Sequence, residues 1–340
     1  MAYTSIDKPD DYFRIAIYNG NNNIQSISWN TNTSNTALDY TNNMQPNIVW
    51  IKTRTGNTVF GHVWGDSVRG SGIYQRIDSA DAEVSNNNVI RGFDSNGFEV
   101  GGATFVSEGS RTYVGWGWKE TADAGLDIVS YTGNGSNPRN ISHNLSAVPH
   151  WILIMDRDQG VDRFNYHQAL GNTHTITLQT TGAAFDSSVW NDTTPTSSVF
   201  TLGTNDVNAN GIKYMAYVWT EKKGFSKFGS YAGNGNADGT FVYTGFRPAF
   251  IMTKATTTGQ SWQLYDSKRN TFNQSNKVLF PNHTYAEQDD SSAAAIDILS
   301  NGFKQRVNDA GGNGSGHTYI YMAFAENPFV TSTGIPTNAR

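Results

Sequence analysis

"RTYVGWGWKE", residues 111–120, decides how this chain is read. Val114, Trp116 and Trp118 fall on alternate positions, with Gly115 and Gly117 between them. A period of two puts the three bulky side chains on one face of a β-strand and the glycines on the other. Two tryptophans are a heavy apolar load for one strand. Glycine weakens a strand interior unless another part of the chain must come close. The stretch predicts a strand with one heavy core face and one lean face that admits a second sheet or a loop.

Two later stretches have the same form, "IKYMAYVWTE" (212–221) and "HTYIYMAFAE" (317–326). Tyr113, Tyr214 and Tyr319 coincide, as do Glu120, Glu221 and Glu326. The heavy face becomes Met215/Tyr217/Trp219 and then Ile320/Met322/Phe324. Other segments keep the same order. "YNGNN" (18–22), "YTGNG" (131–135) and "YAGNG" (231–235) open each copy, and "MQPNIVWIKTR" (44–54), "AVPHWILIMDR" (147–157) and "FRPAFIMTKAT" (246–256) follow. Each of the latter sets a proline before an apolar run, where a missing N–H does no harm at a strand entrance. The spacing exceeds the roughly 20–50 residues of solenoids and propeller blades. It predicts three tandem pseudo-repeats: a short N-terminal arm (1–12), β-sandwich repeats at 13–122, 123–222 and 223–329, and a C-terminal tail (330–340).

Composition points the same way. Aromatic residues are 13% and charged residues 16% of the chain, 34 residues are glycine, and Asn, Thr and Ser are abundant. That favours short strands and many turns, hence an all-β chain of jelly-roll or lectin-like sandwiches. Cys is absent, so packing and association must supply stability without disulfides. The opening "MAYTSIDKPDDYF" has no basic or apolar signal region, and no apolar run approaches a membrane span, so no membrane insertion is expected. A net charge of −5 argues against a nucleic-acid partner.

Few constellations carry chemistry. Asp66-Ser-Val-Arg69 and Asp266-Ser-Lys-Arg269 repeat a D-S-x-R pattern that reads as a bridged turn, because "YHQALGN" (166–172) has no acid there. Asp156, Asp158 and Asp162 around Gly160 are a calcium candidate, set against an acidic hairpin turn. The loop departs from an EF-hand, since its twelfth position is His167. No histidine spacing matches a zinc site, no carboxylate pair suits glycoside hydrolysis, and no phosphate loop or nucleophile elbow occurs. The chain is therefore read as a non-enzyme with no catalytic residues and no cofactor. Trp29, Trp64, Trp190 and Trp262 are the aromatic candidates for stacking on sugars. Trp29 and Trp190, in polar loop-like surroundings, are preferred as surface contacts.

The motifs "YTGNG", "DSVRG", "SADAE", "PTSSVFTLG", "GFSKFGSYAGNGNADGTFVYTGFRPAF" and "YIYMAFAENPF" resemble a family of repeated domains from marine bacteriophages, cyanophages and their relatives. The resemblance covers residues 13–329 and carries over no catalytic or binding residue. It implies a virion structural protein on the particle exterior, as tail fibre, spike or capsid-attached appendage, made in the bacterial cytoplasm. The partners it implies are other virion proteins and further copies of the chain. The alternative is a lectin-like module recognising host surface glycan, and a glycan-cleaving tailspike stands third. The longer first-copy segment, "YNGNNNIQSISWNTNTSNTALDYTNN", is expected to carry a distinct contact surface.

Overall fold

A computed structural model of the chain describes residues 4–29, 42–56 and 60–335. Residues 30–41 of the long first-copy segment thus lie outside the described residues. The fold is all-β. In the first unit the main antiparallel sheet runs Phe13–Asn19, Thr112–Trp118, Ile48–Thr53, Val63–Asp66, Ile73–Arg76, Val84–Ser85. The second unit has the same order in Leu126–Thr132, Lys213–Trp219, Trp151–Asp156, Phe164–His167, His174–Thr177, Phe185–Asp186. The third begins likewise, with Ser226–Ala232, Thr318–Pro328, Phe246–Ala255 and Gln263–Asp266. Its last pair, Lys277–Val278 and Gln288–Asp289, joins through a Leu264–Leu279 bridge.

A smaller sheet faces each main sheet. It is Gln25–Ser28, Gly97–Val100, Ile90–Asp94 in the first unit and Phe241–Tyr243, Gly302–Gln305, Ile296–Leu299 in the third. The second unit keeps two strands, Arg139–Ser142 and Val199–Leu202. The lean face of Thr112–Trp118 meets this second layer. A Cβ on Gly115 would lie 2.6 Å from the Phe98 ring, and one on Gly117 would collide with the Trp29 indole. The two glycines make room for two aromatic rings.

The opening tyrosines explain the "Y-x-G-N" motif. Tyr18, Tyr131 and Tyr231 stack on Tyr113, Tyr214 and Tyr319, with ring centroids 5.2, 5.1 and 4.9 Å apart. Their hydroxyls donate to the carbonyls of Val106, Val207 and Gly312 at 2.9, 2.7 and 2.8 Å. In each unit the first strand, last strand and preceding loop are thereby pinned together at one point.

The heavy faces do not each fill the core of their own sandwich, as the sequence suggested. They meet in one core that all three units share. Phe13 and Trp118 of the first unit pack on Phe324 of the third at 5.4 and 5.7 Å. Trp64 packs on Tyr217 of the second unit at 5.0 Å, and Trp151 of the second on Trp262 of the third at 5.8 Å. Separate smaller cores lie between the two layers of the first and second units. The physical reason is area. A sheet heavy on one face and packed on the other must bury both, and only neighbouring heavy faces are large enough to cover the tryptophans. A void of about 20 Å³ remains at the centre, walled by Trp50, Trp64, Trp118, Trp151 and Trp219. It is too small for anything beyond a water molecule.

Candidate functional site

The preferred surface tryptophans are both buried, which corrects the sequence reading. Trp29 continues the inward parity of Ile27, fills the space over Gly117, and donates from Nε1 to the Met44 carbonyl at 2.7 Å. Trp190 sits in a 3-10 turn, Ser188–Trp190, and packs on Tyr166 at 5.6 Å. Trp64 and Trp262 are buried too. Polar neighbours reported the turns around these residues, and not the direction of the rings.

The calcium candidate is corrected as well. Asp156 accepts from the backbone N–H groups of Asp158 and Gln159 at 2.8 and 2.7 Å, closing the turn. Asp158 accepts from the Lys213 N–H at 2.8 Å, and Asp162 is held by the Gln179 amide. Three carboxylates facing separate donors do not form one cage. Among the described residues no group of three or more His, Cys, Asp or Glu side chains is placed to hold a metal.

The D-S-x-R pairs are turns with a second task. Asp66 accepts from the Arg69 backbone N–H at 2.8 Å and its Nε at 2.5 Å, and Asp266 does the same with Arg269. Each acid also takes a donor from the next unit. The Tyr217 hydroxyl donates to Asp66 at 2.8 Å, and the Trp116 Nε1 to Asp266 at 3.1 Å.

Other junction contacts recur around the molecule. The Glu83 N–H of the first unit donates to the Arg157 carbonyl of the second at 2.9 Å. Ala184 of the second unit meets Thr256 of the third at 3.0 Å, and Glu287 of the third meets Arg54 of the first at 2.9 Å, in the same manner. His62, Arg163 and Trp262 each stand just before the strand that pairs back on Ile51, Ile154 or Thr253. His62 Nε2 bonds the Phe280 carbonyl at 3.0 Å, Arg163 that of Arg76 at 3.4 Å, and Trp262 Nε1 that of Thr177 at 3.1 Å. First touches third, second touches first, third touches second. A head-to-tail contact that returns to its start closes a ring.

Buried cations line these junctions. Lys52 donates to the Thr284 carbonyl at 2.8 Å and Lys254 to the Thr181 carbonyl at 3.2 Å, and burial brings each pKa down to about 7. Arg163 also donates to the Asp81 carbonyl, with its pKa brought down by burial to about 10. Burial would raise the Glu287 pKa, but Arg269 and Arg54 overcome it and hold the carboxyl below its usual range. Bidentate pairs seal two junctions: Arg54 with Glu287 at 2.9 and 2.9 Å, and Arg157 with Glu83 at 2.7 and 3.0 Å. At the third, Thr256 and Ala184 replace the pair, and an open depression of about 450 Å³ remains beside Leu170 and His174. These ionisable groups bond the ring to itself.

One cleft has a different character. It lies at the open end of the third sandwich, encloses about 300 Å³, and is lined by Glu221, Lys223, Lys227, Tyr243 and Phe329 among others. Tyr243 is 55% and Phe241 45% exposed, on the same outward face of the short strand Phe241–Tyr243. The Lys227 ammonium stands 6.0 Å from the centre of the Tyr243 ring. Backbone bonds from Thr244 and Gly245 to the Asn301 carbonyl, at 2.9 and 3.2 Å, hold the turn beside it. Sequence reasoning missed this group. A signal was available, because the matching outward positions carry Ser26 and Ser28 in the first unit and Asn140 and Ser142 in the second.

The fold and site define an all-β ring built on a shared aromatic core, with a mixed aromatic and charged cleft at the open end of the third sandwich. Residues 8–328 match the family model described as a domain of unknown function (DUF7483), and the chain belongs to that family. No curated protein and no solved structure matches the chain. Among the described residues no helix is long and apolar enough to cross a membrane.

Proposed function

We propose that the chain is a structural protein of the outside of a bacteriophage particle, built from three copies of one module and serving assembly or host attachment. The likeness of its motifs to repeated domains of marine bacteriophages supports the setting. The observation that carries the structural role is where the ionisable residues go. Asp66, Asp266, Arg69, Arg269, Glu83, Glu287 and Lys52 are engaged in turns and junctions. Such a use suits a rigid scaffold better than an enzyme. Mass spectrometry and antibody labelling of purified particles test this reading. The chain should be present at a fixed ratio to the capsid protein. Its absence from particles, with abundant chain in the infected lysate, would overturn the proposal.

Recognition of host surface glycan is the second reading, favoured by the exposed Phe241 and Tyr243 beside a polar cleft. Glycan cleavage is third. It requires release of reducing ends from host envelope polysaccharide, lost when one acid is replaced.

A further inference from the structure

The three sandwich ends are built on one plan, and their differences are informative. Arg14, Asp127 and Lys227 occupy one register, opposite Gly117, Val218 and Ala323. Two residues beyond the inward-facing Ile27, Ile141 and Val242 stand Trp29, His143 and Thr244. In the first unit Trp29 fills the end, while Arg14 bonds the Asp10 and Asn42 carbonyls at 2.6 Å each and Asn96 Oδ1 at 3.0 Å. In the second, His143 is buried and Asp127 accepts from the Asn144 N–H at 2.8 Å. The third has the short Thr244 in the place of the ring. Its cation is not drawn into such a network, and the end stands open as the cleft of about 300 Å³. The outward aromatic residues, Phe241 and Tyr243, occur at this same end and replace small polar residues.

From this coincidence we infer that the cleft binds a hexuronic acid residue of a polysaccharide, its ring stacked on Tyr243 and its carboxylate on Lys227. The inference rests on the glycan-recognition reading and deepens it. An exposed tyrosine face fixed by its strand offers a flat apolar platform with a polar rim. Among the described residues Lys227 makes no ion pair; its ammonium lies over the Tyr243 ring at 6.0 Å, a weak cation–π contact that it exchanges for a carboxylate when the sugar takes the ring face. A charge-assisted bond from an ammonium to a carboxylate is stronger than one to a neutral hydroxyl. Glu221, across the cleft, accepts from sugar hydroxyls, and Phe329 closes one wall. Thr244 is held by its own bond to the Phe246 carbonyl at 2.6 Å, so the site is formed before ligand arrives.

Isothermal titration of the full chain with tetragalacturonate, and with neutral cellotetraose, tests the site. The wild type should bind tetragalacturonate and bind cellotetraose at least about ten-fold more weakly, the scale of one charge-assisted bond. Tyr243→Ser, which copies Ser28 and Ser142, should abolish binding while leaving the melting temperature unchanged. Lys227→Met should weaken tetragalacturonate about ten-fold and leave any cellotetraose binding as it was. Tetragalacturonate binding that survives Tyr243→Ser would overturn the site and leave glycan recognition standing. Equal binding of the neutral sugar would overturn the role of the carboxylate. Failure of the wild type to bind tetragalacturonate would overturn the hexuronate site.

Discussion

At the scale of single residues, Gly117, Trp118 and Trp29 belong to one packing decision. Trp118 presses into the shared core, 4.9 Å from Phe13 and 5.5 Å from Phe250. On the other side of the same strand, the missing side chain of Gly117 admits Trp29. Trp118→Ala should destabilise by about 3–5 kcal/mol, the usual range for removing a large aromatic from a core. Trp29→Ala should cost about as much, because the indole fills the smaller core and leaves the Met44 carbonyl without its donor. Thermal melts of both variants measure the effect. A wild-type melt for Trp29→Ala would mean that the loop can collapse into the space, and that the ring is dispensable there.

Strands and hairpins gain a further role at the junctions, where each hairpin offers carbonyls to a donor from the next unit. Lys254 and Lys52 hold the register that Met155 holds in the second unit, opposite Ile320, Val114 and Met215. Burial lowers the Lys254 pKa to about 7, whereas an unfolded lysine titrates near ~10.4. Between those values the unfolded chain binds more protons than the folded one. Stability from this residue therefore rises with pH over that window, and is lost as pH falls through about 7. Lys254→Met, copying Met155, removes the titration. The melting temperature of the variant minus that of the wild type should fall as pH is raised from about 7 to about 9.5. A difference independent of pH would show that Lys254 keeps its proton throughout.

For the molecule as a whole, the shared core sets the unit of folding. Bulky residues from all three units cover one another, so a single unit cut from the ring exposes a heavy face with Met215, Tyr217 and Trp219 on it. The full chain should unfold in one cooperative transition. A fragment spanning 126–222 should aggregate or melt without a transition. Calorimetry of both decides the question. A fragment with its own sharp transition would mean that the cores between layers suffice and that the ring is an assembly of independent domains.

Much of this was legible in the amino-acid order. Alternation in "YVGWGW" implied a strand with unlike faces, the recurring tyrosines and prolines implied three similar segments, and the aromatic, glycine- and Asn/Thr/Ser-rich composition implied an all-β chain. These are local properties, carried by residue type and a period of two. What each face meets is not local. Parity cannot say whether Trp118 looks into its own sandwich or across to Phe324, because both destinations are apolar and the second lies more than two hundred residues along the chain. Nor can it say that Trp29 turns inward while Tyr243 stays out. That depends on Gly117 leaving room for the first, and on Thr244 and Lys227 leaving the end of the third sandwich unfilled beside the second. Volume decides these placements, and volume exists only once the sheets are packed.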